Sequence, residues 1–143
     1  MNIVKCLAAA VLMAATPMLA HADSGPGTAS PARVKALMSQ VLAGAPAKEV
    51  QMMTVEYGPA GASLPHRHNA QVFVYVLEGS IRMQINSAPP VTLHPGDTFY
   101  EGPGDIHTLS ENASATKPAR FLVFMIKDAT APVSVPVAAG TTR

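Results

Sequence analysis

The stretch "LPHRHNAQVFVYVLEGS", residues 64–80, decides how this chain is read. It places His66 and His68 one residue apart, then runs through the β-formers Val72 to Leu77 and halts at Glu78-Gly79. In an extended chain residues i and i+2 project to the same side, so the two imidazoles point together at the entrance of a strand. Such a pair can grip one divalent ion through bonds of about 2.0–2.1 Å. Two ligands rarely complete a site, and the histidines that follow are His94 and His107. His107 comes after the turn "EGPGD" (101–105) and opens a new strand, far enough from His68 to face the pair across a barrel. His94 precedes Pro95-Gly96 in a turn and is expected at the surface.

Working outward, the chain is β-like from Lys48 on. "EVQMMTVEY" (49–57) is rich in β-branched and apolar residues, and "SIRMQIN" (80–86) alternates Ile81, Met83 and Ile85 against Arg82 and Gln84. "VTLH", "TFYE", "IHTLS" and "RFLVFMIKD" complete a set of short strands parted by Gly/Pro turns, which is the pattern of an all-β sandwich or barrel. "VKALMSQVLAG" (34–44) has spacing that suits a short helix and a position that suits an edge strand, and local pattern leaves both open. Phe73, Tyr75 and Leu77 share one strand face and are expected in the core. Met52, Met53, Met83 and Met125 are expected to fill the interior. Arg67 points away from its histidine neighbours. The chain carries no Gly-rich phosphate loop, no Gly-x-Ser-x-Gly elbow and no internal repeat. The sequon Asn112-Ala113-Ser114 matters only in a eukaryotic source.

The first 22 residues, "MNIVKCLAAAVLMAATPMLAHA", read as a secretory signal peptide, with Lys5 as the positive region and Ala20-His21-Ala22 as the cleavage site. The apolar run is short for a membrane span, which needs about 20 residues. Cleavage removes the sole cysteine, Cys6, so the mature chain has neither disulfide nor thiolate ligand. The 10 Lys and Arg, less Lys5, then balance 9 Asp and Glu, which leaves no basic stripe for nucleic acid. The expected location is periplasmic or secreted, with no membrane span after cleavage. Residues 23–32 read as a flexible lead-in, 33–129 as the β domain and 130–143 as a flexible tail with little chance of packing regularly.

The spacing of the histidines and glycines resembles that of the cupins. The first motif of that family, G-x5-H-x-H-x3,4-E-x6-G, is similar to Gly61 through His66, His68 and Gly79. The second, G-x5-P-x-G-x2-H-x3-N, is similar to Gly96 through Gly104, His107 and Asn112. The likeness covers about residues 48–127. It implies a double-stranded β-helix, a jelly-roll-like barrel, with a metal in its mouth. The chain departs from the pattern where the ligand glutamate belongs, because Val72 stands there. Gln71 beside it should point to the opposite face. The leading glycine is one residue closer to His66, Gly102 stands where proline is usual, and Glu111 where asparagine is usual.

The resemblance therefore implies a three-histidine site of His66, His68 and His107, holding one divalent transition metal: iron, manganese, nickel, copper or zinc. Without a ligand carboxylate, the 2+ charge favours a small anionic molecule. Glu101, six residues before His107, is the candidate replacement, as fourth ligand or as general base. The implied activity is that of a metal-dependent, dioxygenase-like oxidoreductase using O2. The alternative is a non-catalytic module that binds a small ligand or uses the metal structurally. A homodimer is also implied.

Overall fold

The computed structural model describes residues 31–138, 140 and 141. The expected signal peptide and residues 23–30 of the lead-in lie outside these. Among the described residues there are strands and no helices: β1 (Arg33–Leu42), β2 (Ala45–Tyr57), β3 (Ala62–Ser63), β4 (His66–Arg67), β5 (Ala70–Glu78), β6 (Ile81–Ile85), β7 (Val91–Leu93), β8 (Thr98–Glu101), β9 (Ile106–Asn112), β10 (Ala119–Asp128) and β11 (Val135–Pro136). They form two sheets. One runs β1-β2-β10-β5-β8, and the other runs β11-β4-β9-β6-β7 with β3 also paired to β9. The segment whose pattern allowed helix or strand is the strand β1, held by antiparallel pairing to β2.

The core lies between the sheets. Val72, Val74 and Val76 of β5, Phe121, Val123 and Met125 of β10, and Ile81 and Met83 of β6 are all buried there. The expectation for β5 was the reverse. Phe73, Tyr75 and Leu77 are 44%, 45% and 40% exposed on the outer face, where Phe73 stacks on Tyr100 with centroids 5.4 Å apart. Met52, expected inside, shares that outer face, because its neighbour Met53 takes the inward position. Both faces of β5 are apolar in sequence, so its parity is set by its partners, Met125 on one side and Glu101 on the other, both opposite Val72. Turning the slim valines inward also leaves room. A cavity of about 390 Å³ opens between the sheets, which Phe73 and Tyr75 would fill if the strand were turned over.

Gly79 ends β5 with φ 74°, and an added Cβ would lie 2.5 Å from the Pro118 carbonyl oxygen, so only glycine fits. Asn112 is buried. Its amide donates to the carbonyls of Gly58 and Lys117, so the sequon side chain is already engaged inside the fold.

The described residues that flank the β domain pack onto it. Ala32, at the end of the lead-in, packs against the core. The described part of the tail is anchored as well. Lys127, 4% exposed, sets its ammonium 2.5 Å from Glu49 and donates to the carbonyl of Ala131 at 2.7 Å. From there the chain crosses to β11, which pairs Val135 with Arg67 and Pro136 with His66. This anchoring comes from backbone groups and one ion pair, not from hydrophobic periodicity, so sequence pattern does not reveal it.

Candidate metal centre

His66 and His107 are direct cross-strand partners on β4 and β9. His66 and His107 therefore sit side by side in one sheet, with His68 just past the end of β4, and His107 does not reach the pair from across the barrel. The turn before His107 is built to hold it. Asp105 accepts from the Gly102 amide at 2.8 Å and from the Asn86 side chain at 2.9 Å, while Asn86 accepts from the Ile106 amide. The Gly104 amide donates to the His68 carbonyl at 3.1 Å, which ties this turn to the end of β4.

One ligand atom from each of His66, His68 and His107 lies within 4.8 Å of the others, an arrangement that could hold a metal ion. The tautomers suit that use. His66 Nδ1 lies 2.7 Å from the Leu64 carbonyl and His68 Nδ1 lies 2.5 Å from the Val133 carbonyl, so each ring donates there and leaves Nε2 as a lone-pair donor. His107 Nε2 is buried without a partner among the described residues, a state that a metal would relieve. The donor set fits a borderline cation that favours imidazole.

Glu101 comes from the opposite sheet. It is 2% exposed, directly across from Val72, the position where the resemblance calls for a glutamate. Its Oε1 lies 3.3 Å from His107 Nδ1 and its Oε2 lies 3.8 Å from His68 Nε2, with Oε2 otherwise unpartnered among the described residues. Burial, and then the charge of Asp105, push the Glu101 carboxyl up to about 8. Burial pushes His107 down to about 3, with the other two histidines adding to the effect, and burial also lowers His68. The pocket is thus tuned for neutral imidazoles, the form that binds metal.

Gln71 lies outside, bonded to Tyr100. His94 is exposed, 3.0 Å from Ser80 Oγ and away from the cluster. Arg67 is exposed between its histidine neighbours. The residue that pattern reading missed is Val133, whose contribution is a carbonyl and so leaves no side-chain signal. Ending the chain after Ala131 keeps the Lys127 anchor and removes this acceptor and β11. Cobalt affinity, measured by calorimetry, should fall about 10–100-fold, as for other outer partners of ligand histidines. An unchanged affinity would mean the carbonyl does not position His68.

A family model described as a cupin domain matches residues 53–125, slightly more than half of the chain. No curated protein matches it. Among solved structures, the DMSP lyase DddQ from Ruegeria pomeroyi DSS-3 aligns with TM-score 0.60 and 18% identity, over 77% of this chain and 53% of that one. Recombinant oxalate oxidase in complex with glycolate aligns with TM-score 0.57 and 22% identity, over 73% of this chain and 54% of that one. KdgF from Halomonas sp. gives 0.54 and 17%, over 74% and 83%. At these identities the likeness shows the fold alone, and this chain spans about half the length of the lyase and the oxidase.

Proposed function

Because this chain belongs to the cupin family, we propose that it is a metal-dependent enzyme of dioxygenase-like type acting on a small anionic organic molecule. One observation carries the reading: the three histidines open onto a cavity of about 390 Å³ with a buried carboxyl beside them. A closed structural site would have its donors enclosed and no room for a ligand. Oxalate, named for one of the structural neighbours, is a small carboxylate of the kind intended.

His66, His68 and His107 would hold the ion. When bound, the ion supplies Lewis acidity and, if redox-active, electron transfer to or from its ligands. The chain's own residues do the rest. Three neutral imidazoles leave the site's positive charge uncompensated, so it draws an anion. The apolar walls exclude water and strengthen that attraction. Glu101, near the ligand histidines and holding its proton close to neutral pH, can give or take a proton at Oε2.

The test is elemental analysis of the purified chain, followed by oxygen-uptake and product assays with small carboxylates after loading with iron, manganese, nickel, copper or zinc. Turnover that is lost on chelation and restored by one metal supports an enzyme. A tightly bound metal with no turnover of any carboxylate supports the binding-module alternative.

A further inference from the structure

Farther along the cavity three hydroxyls meet. Tyr57 is 1% exposed, and its Oη lies 2.7 Å from Ser63 Oγ and 2.7 Å from Ser110 Oγ. Ser63 and Ser110 face each other across β3 and β9. Ser110 follows His107 by three residues on the same strand, a separation of about 10 Å at 3.3 Å per residue. All three hydroxyls line the cavity that the histidines line, and the walls between are apolar, formed by Val55, Val74, Phe121 and Val123.

Three hydroxyls carry three donor hydrogens. The two hydrogen bonds among them use two. Either oxygen of each pair can donate, so whichever way the two bonds run one hydroxyl hydrogen is spare. Neither serine hydroxyl meets another partner among the described residues. A donor hydrogen on the cavity wall thus has no acceptor among the described residues, and a bound molecule can supply one. Among the described residues, no Lys or Arg lines the cavity. A second carboxylate at this end would be buried without a counter-charge, so the acceptor must be neutral.

We propose that Tyr57, Ser63 and Ser110 form a second recognition point for the ligand, donating a hydrogen bond to a neutral acceptor such as a ketone or ester oxygen. The ligand is then a short apolar chain with an anionic head at the histidines and a carbonyl-like oxygen at the far end. The head rests on the function proposed above. The hydroxyl end does not.

The experiment follows the visible spectrum of the cobalt-loaded chain. Levulinate is titrated against pentanoate, and the six- and seven-carbon homologues of each are compared in the same way. At one chain length or more the keto acid should bind at least about tenfold tighter than the plain acid, because a site with a fixed donor rejects a ligand that leaves it unpaired. The preference should vanish in a Tyr57→Phe/Ser63→Ala/Ser110→Ala variant. That variant removes all partners together and strands none, and its cobalt spectrum without ligand should match the wild type. No keto preference at any length, or a preference that survives in the variant, overturns the proposal. A separate arm uses the metal-free chain and methyl pentyl ketone, which should raise the melting midpoint of the wild type and not of the variant. An equal effect on both also overturns it. Failure of cobalt to bind, or of every carboxylate to perturb its spectrum, counts against the metal-and-anion reading and leaves the ketone arm to decide the hydroxyl site.

Discussion

The wild-type chain is expected to hold about one divalent ion after desalting, and the His66→Ala/His68→Ala variant none. Two of the three clustered nitrogen donors are gone, and a single imidazole, His107, cannot retain an ion against solvent. The loss in affinity should exceed about a thousandfold. Unfolding is the competing explanation, because His68 also donates to the Val133 carbonyl and its removal leaves that acceptor unpaired at a cost of about 1–3 kcal/mol. Near-ultraviolet dichroism separates the two, since Tyr57 and Phe121 pack in the core with ring centroids 5.5 Å apart and report on its integrity. The His94→Ala variant is the control. Its imidazole is exposed and bonded to Ser80, so metal content should not change. Full metal retention in the double variant would place the ion elsewhere.

The second large effect concerns Glu101. Its Cα is the register partner of Val72, on the neighbouring strand of the same sheet. On the proposed reading, the site takes from β8 the carboxyl that the family pattern has on β5. Glu101→Val should weaken metal binding at least about 10–100-fold, the range seen when a carboxylate partner of a ligand histidine is lost. Adding Val72→Glu to that variant should recover most of the affinity, because the carboxyl re-enters the same space from the adjacent strand. A double variant no better than Glu101→Val would show that the carboxyl acts only from β8.

Glu101 also has a signature in the metal-free chain. Its folded-state carboxyl stands at about 8 against an ordinary 4.5, so the folded form binds its proton more tightly than the unfolded form does. Stability from this group is complete below 4.5 and is lost as pH rises towards 8. His107 and His68 are depressed instead, so their contribution rises with pH and is complete above their ordinary value of 6.5. Between about pH 6.5 and 8 the slope belongs to Glu101. The melting midpoint of the chelated chain should fall across that window, and the Glu101→Gln variant should lose the slope. A flat wild-type profile would mean the carboxyl is already ionised in the fold.

Much of this protein is legible in its residues. Alternation in Ile81–Ile85 shows one buried face, the Gly/Pro turns mark off short strands, and the spacing of His66, His68 and His107 points to a metal. These signals are local: a turn needs particular dihedral angles, and a half-buried strand needs period-two polarity. Tertiary structure decided the rest. Period two shows that Val72 and Phe73 point opposite ways but not which points inward, and with both faces of β5 apolar only its partners β10 and β8 settle that choice. The four residues of β8 are too few to reveal the parity of Glu101, which depends on that same pairing. The Val133 carbonyl on His68 and the Lys127 anchor on Ala131 are contacts to backbone oxygens, and every residue has one, so no sequence pattern distinguishes them.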